Sequence, residues 1–129
     1  MILASLLRYM QFYAHIAHNK LGGETFFQDH VFLGELYEAY EAAYDIVIER
    51  MIGLDEAVDL AKVQKDAAKD LAEPKSYEAC FKEILTCEAD LCKALEKMSK
   101  EVTLGTNNML AALADDSEAR QYKLKQRLK

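Results

Sequence analysis

Apolar side chains recur at steps of three and four residues along most of the 129-residue chain. Such steps place them on one side of a helix that has about 3.6 residues per turn. The chain contains one proline and five glycines, too few for the many tight turns of a β-sandwich or barrel. The pattern therefore predicts an all-α protein that folds as a single domain over residues 1–129.

Two long helices are predicted in the first part of the chain. The first ends at Gly22 and Gly23, because paired glycines commonly follow a helix C-terminus. The second spans about 26–52, and Thr25 with Gln28 forms a capping-box signal before it.

Three further helical segments follow. The stretch 55–71 is weakly amphipathic and predicts a short helix inside a long connection. Ser76 is the expected N-cap of the third long helix, and the fourth begins at a break around Gly105 and runs to the chain end. This order matches the ferritin-like four-helix bundle, with a short extra helix in the crossover between the second and third long helices. A plain up-down bundle and a small helical adaptor would carry similar stripes.

A polar strip runs beside the apolar stripe of the second predicted helix. At about 100° per residue, five ionisable side chains fall on a strip about 100° wide: His30, Glu38, Glu41, Asp45 and Glu49. The first helix places His18 at the margin of its stripe and His15 further out. Imidazoles and carboxylates together suit iron or manganese, and zinc is compatible as well. The alternative is a solvated helix face with histidines packed at its edge.

The stretch from His18 to His30, with the Asp-x-x-x-Glu-Arg motif at 45–50, resembles the iron-site segment of the Dps family. That family, the DNA-binding proteins from starved cells, is a branch of the ferritin-like superfamily. Its members place a histidine near the end of the first helix, then a loop glycine, an aromatic residue and a second histidine. The matching residues here are His18, Gly23, Phe26, His30, Asp45, Glu49 and Arg50.

The resemblance implies a metal site that is shared across a two-fold interface. His18 and His30 of one subunit would meet Asp45 and Glu49 of its neighbour, and these four residues would be both the metal ligands and the catalytic site. In an isolated bundle the two acids would face water, whereas in a symmetric pair they would face the other subunit. The resemblance also implies a dodecameric shell that oxidises iron(II) with peroxide or oxygen and stores ferric mineral.

The chain departs from the family pattern near the second histidine. Gly34 stands where the family usually has an aspartate, so one expected ligand is missing. Glu38 and Glu41 lie further along the same strip, and with His15 they are the candidate substitutes. The alternative function is therefore a ferritin-fold structural or interaction protein with a degenerate site that does not turn over.

Charge and composition narrow the expected partners and location. The formal net charge is −6, which is unfavourable for binding the phosphate backbone of a nucleic acid. No lysine-rich segment precedes the first predicted helix, so we expect no binding of nucleic acid through a tail. No apolar run approaches the ~18 residues of a membrane span. The three cysteines lack CxxC spacing, which favours thiols in a reducing compartment and a cytoplasmic protein.

Overall fold

The computed structural model describes residues 2–129 and is all-helical over that range. Five helices contain 80% of the residues, and no strand occurs among those described. They are α1 (Ile2–Lys20), α2 (Phe26–Gly53), α3 (Leu60–Ala68), α4 (Tyr77–Ser99) and α5 (Leu104–Arg127). The all-α prediction is thus confirmed, and the ferritin-like arrangement of the helices stays a prediction.

The chain divides into two compact units. The first ends at Cys80 and contains α1, α2, α3 and the first turn of α4. The second, Phe81–Lys129, contains the rest of α4 and all of α5. Every residue of the predicted metal site belongs to the first unit.

In the first unit, α1 packs against both α2 and α3. The predicted stripes form its interior, and the largest fully buried side chains there are Leu7, Met10, Leu33, Leu36 and Tyr40. Tyr77 anchors the end of α1 from the first turn of α4, since its hydroxyl donates to the carbonyl of Leu21 at 2.9 Å. This burial supplies most of the free energy that keeps α1 beside α2.

The helix ends agree with the sequence in part. Ser76 caps α4 as predicted, because its hydroxyl accepts from the amide of Ala79 at 3.1 Å. The capping box before α2 is wrong in detail: the Thr25 side chain makes no capping bond and instead donates to the Asp29 carboxylate at 2.6 Å. Asp29 is buried, so leaving its carboxylate without this hydrogen bond would cost more free energy than leaving the helix end without a side-chain cap.

Two other boundaries differ from the prediction. The short helix starts at Leu60 rather than near 55. Asp55 adopts a positive φ of 61°, which a helix does not contain, and the Asp59 side chain accepts from the amide of Lys62 and caps α3. Helix α5 begins before the predicted break at Gly105, since Thr103 accepts from the amide of Thr106 and caps the first turn. No helix within residues 2–129 is long and apolar enough to cross a membrane.

Candidate functional site

The turn between α1 and α2 brings two histidines into contact. Gly23 adopts a φ of 118°, which a side chain would strain, and lets the chain reverse within the few residues between Lys20 and Phe26. His18 lies in the last turn of α1 and His30 in the second turn of α2. Their rings stack with centroids 3.7 Å apart and planes 18° apart.

A reciprocal pair of hydrogen bonds fixes both imidazoles. Nδ1 of His18 lies 2.8 Å from the backbone carbonyl of His30, and Nδ1 of His30 lies 2.9 Å from the carbonyl of His18. A carbonyl oxygen only accepts, so each Nδ1 carries the proton. In the neutral ring Nε2 is therefore the unprotonated nitrogen, which is the form that binds a metal ion.

Other aromatic rings support the pair from both sides. Phe26 stacks on His30 with a centroid separation of 4.7 Å, and Tyr37 meets His18 edge-on at 5.3 Å. His15 stacks on Tyr37 at 4.2 Å, and its ring centroid is 6.2 Å from that of His18. The ring packing holds His18 and His30 in one geometry and leaves His15 outside the pair.

Gly34 lies directly beside His18. A Cβ atom at this position would lie 3.4 Å from Cε1 of His18 and 3.6 Å from its Nδ1, which are ordinary contact distances. Glycine at position 34 thus lets the imidazole of His18 pack closely against α2. The edge of the His18 ring that faces position 34 is therefore the one formed by Cε1 and Nδ1.

The predicted acidic ligands do not reach the histidines within one chain. Asp45 and Glu49 are exposed on α2, and Asp45 lies about 22 Å along the helix from His30 at a rise of about 1.5 Å per residue. Glu38 is exposed as well. Among residues 2–129 of a single chain, no three His, Cys, Asp or Glu side chains are grouped so that they could hold a metal ion.

Glu41 differs from the other acids because α1 holds its carboxylate. Nε2 of Gln11 donates to Oε2 of Glu41 at 2.9 Å, and Nη1 of Arg8 donates to Oε1 of Gln11 at 2.7 Å. The Arg8 guanidinium in turn lies over the ring of Tyr44, 3.5 Å from its centroid. The sequence analysis did not assign a role to Gln11. Its position at the margin of the α1 stripe, one turn after Leu7, is the signal that a polar side chain lies near the contact between α1 and α2.

The polar strip of α2 also carries exposed apolar side chains. Phe27 is 81% exposed, Val31 60% and Ile52 52%. At about 100° per residue, Phe27 and Ile52 fall within about 20° of Asp45 on the helix surface. The strip therefore has carboxylates in its middle and single exposed apolar residues towards both ends.

A second polar cluster lies in the second unit. Glu88 is fully buried and accepts from Nε and Nη2 of Arg120 at 2.6 and 3.1 Å and from Ser117 at 2.9 Å. Its charge is thus neutralised by a cation and by hydrogen bonds, as a buried carboxylate requires. This cluster has no histidine and stabilises the unit rather than forming a ligand site.

No model of a known protein family matches the chain, and no curated protein is detectably similar to it. The assignment of function consequently depends on the geometry around His18 and His30.

Proposed function

We propose that the protein is a Dps-like iron-binding protein that oxidises iron(II) at a site formed between two copies of the chain. Iron is the substrate, and peroxide or oxygen is the oxidant. With hydrogen peroxide, two iron(II) ions give up one electron each, and the peroxide takes two electrons and two protons to become water. A closed dodecamer that stores the ferric product in its interior belongs to the same proposal.

The observation that carries this proposal is the histidine pair. Both rings are fixed by hydrogen bonds from Nδ1 to backbone carbonyls, the arrangement that orients metal-binding histidines in proteins. The donor set of two imidazoles with nearby carboxylates suits iron, and it also suits zinc or manganese.

A second copy supplies the carboxylates that one chain does not bring to the histidines. In a two-fold pair of antiparallel α2 helices, positions equally far from the axis face each other. Placing His30 opposite the turn from Asp45 to Glu49 puts the axis at about position 38 or 39. Phe27 then faces the last turn of the partner's helix, where Ile52 is exposed. The same pairing would therefore cover the apolar ends of the strip and bring the carboxylates to the histidines.

Anaerobic addition of iron(II), followed by peroxide or oxygen, tests the proposal through the near-ultraviolet absorbance of ferric species. We expect His30→Ala and Glu49→Ala to slow the oxidation at least about tenfold, since each removes a ligand. Glu35→Ala is the matched control, because Glu35 is exposed on α2 and lies about 140° around the helix from His30. Equal rates for wild type and both site variants would show that the site assignment is wrong.

The second candidate is an interaction protein whose site is degenerate, and Gly34 favours it because a ligand position lacks a side chain. This candidate keeps the two-fold dimer and predicts no metal binding. Size-exclusion chromatography with light scattering, run beside a metal-binding titration, separates the two. A dimer without affinity for divalent metal supports the interaction protein, and a strict monomer excludes both.

A further inference from the structure

We propose that Cys92 is a modification site, at which the thiol exchanges with small positively charged disulfides that enter a cleft between α4 and α5. Three features carry the proposal: the exposure of Cys92, the hydrogen bonds that hold its sulfur, and the charge of the cleft. Every residue that forms this site belongs to the second unit, so the proposal is independent of the histidine pair and of the proposed metal site.

Cys92 differs from the other two cysteines of the chain in its exposure. Cys80 and Cys87 are buried, whereas Cys92 is partly exposed. Cys92 also lines a cleft of about 330 Å³ between α4 and α5, and the apolar side chains of Leu95 and Leu110 belong to the same lining. Because a thiol reacts only where its reagent can reach it, Cys92 is the cysteine at which we expect modification.

Two side chains of α5 hold the sulfur of Cys92. Its thiol donates to Oγ of Ser117 at 3.3 Å, and Nε2 of Gln121 donates to Sγ at 3.4 Å. Ser117 is fully buried and donates in turn to Oε1 of Glu88 at 2.9 Å, and Arg120 neutralises that carboxylate. This buried network limits the rotamers of Cys92 and keeps its sulfur in one position.

The charged residues that line the cleft are both acidic. Glu96 comes from α4 and Glu118 from α5, both are exposed, and the lining contains no lysine or arginine. A cleft lined by one sign of charge concentrates small ions of the opposite sign and repels those of its own sign. The cleft should therefore select a cationic reagent over an anionic one of similar size.

The exchange replaces one disulfide bond with another. The Cys92 thiolate attacks one sulfur of the reagent, the S–S bond of the reagent breaks, and a mixed disulfide forms at Sγ. The other half of the reagent leaves as a thiolate and takes up a proton, which balances the proton that Cys92 released. The step needs no further oxidant or reductant.

Cystamine and dithiodipropionate test the proposal, because these two disulfides have similar length and opposite charge. The folded protein is exposed to each reagent for timed intervals and quenched with N-ethylmaleimide, and mass spectrometry of digests gives the rate at each cysteine. Dividing by the rate at the same cysteine in protein unfolded in urea removes the intrinsic difference between the reagents. We expect Cys92 to react at least about tenfold faster than Cys80 and Cys87, and to favour cystamine at least about fivefold.

Removing charge from the cleft separates its effect from the charge of the whole chain. Glu96→Gln combined with Glu118→Gln should lower the preference for cystamine to less than about twofold. Asp90→Asn combined with Asp116→Asn is the matched control. It removes the same charge from exposed positions of the same two helices, outside the lining of the cleft, and should keep the preference of the wild type.

Three results would each overturn the proposal. The first is a rate at Cys92 no higher than the rate at Cys87, and the second is the absence of a preference for cystamine in the wild type. The third is an equal preference in the two double variants. None of these results bears on the histidine pair, which the oxidation of iron(II) tests separately.

Discussion

At the scale of single residues, backbone hydrogen bonds fix the orientation of both imidazoles of the histidine pair. Nδ1 of each histidine donates a hydrogen bond to the backbone carbonyl of the other histidine. The spacing of His18 and His30 in the sequence predicted that both lie near one helix contact. It did not predict the tautomer, which depends on carbonyls that point correctly only after α1 and α2 have packed.

Cys87 gives a prediction with a defined pH window. Burial, and secondarily the neighbouring Glu83 carboxylate, raises the pKa of its thiol to about 12. The ordinary pKa of a cysteine thiol is 9.0. At pH 8 the thiolate fraction of Cys87 in the folded protein is therefore roughly a thousandth of that in the unfolded chain. Iodoacetamide should modify Cys87 about a thousandfold more slowly in the folded protein than in the protein unfolded in urea. Mass spectrometry of digests measures both rates, and equal rates would contradict the burial of the thiol.

The same shift links stability to alkaline pH. The unfolded chain releases the Cys87 proton near its ordinary pKa, and the folded chain releases it only near pH 12. Because the folded state binds more protons in this window, the free energy of unfolding should decrease as pH rises from about 9 to about 12. Cys87→Ser should flatten this part of the pH profile in urea titrations.

Arg120 is expected to be the most sensitive residue of the second unit. Arg120→Ala would leave the fully buried Glu88 carboxylate without its cation and should lower the free energy of unfolding by about 3–5 kcal/mol. Lys123→Ala on the exposed side of α5 is the control and should change it by less than about 0.5 kcal/mol. Urea denaturation followed by circular dichroism measures both, and similar values for the two variants would refute a structural role for the pair.

At the scale of elements, the sequence predicted the existence of the helices better than their ends. The stripes of α1, α2 and α4 are long and regular, so their type was evident from periodicity. Ends depend on single residues: Thr25 bonds to Asp29 instead of capping α2, and Asp55, with a positive φ, lies outside the short helix that was expected to begin there. Neither choice follows from propensity, because each reflects a buried carboxylate or a backbone conformation set by the packed chain.

The α1–α2 turn offers a matched pair of glycines. Gly23→Ala should lower the free energy of unfolding by about 1–3 kcal/mol, since its φ of 118° strains any side chain. Gly22→Ala is the control: a Cβ there meets no atom within 4 Å, and its φ lies outside the left-handed region. Chemical denaturation distinguishes them, and equal costs would show that the turn tolerates a side chain at both positions.

At the scale of the whole molecule, the proposed metal site depends on a second copy of the chain. The sequence placed Asp45 and Glu49 on a strip apart from the stripe of α2, and both are exposed, so their distance from the histidines within one chain was foreseeable. The sequence did not predict the exposed apolar residues at the strip ends or the hydrogen bond from Gln11 to Glu41. Exposure and contacts between helices arise only in the folded chain.

The proposed interface makes a prediction about assembly. Phe27→Glu should prevent formation of the proposed two-fold dimer, because it places a charge where Phe27 would face Ile52 of the partner subunit. Leu104→Glu is the matched control, since Leu104 is 89% exposed but lies on α5 in the other unit. Light scattering after size exclusion gives the masses, and a dimer that persists in the Phe27 variant would exclude this strip as the interface.

Anomalous diffraction from a crystal soaked in iron(II) without oxygen tests whether the histidine pair binds metal between two subunits. We expect a metal peak within coordination distance of Nε2 of His18 and His30 from one subunit and of carboxylate oxygens from the partner's α2. A peak elsewhere, or a crystal in which no two-fold contact joins these side chains, would contradict it.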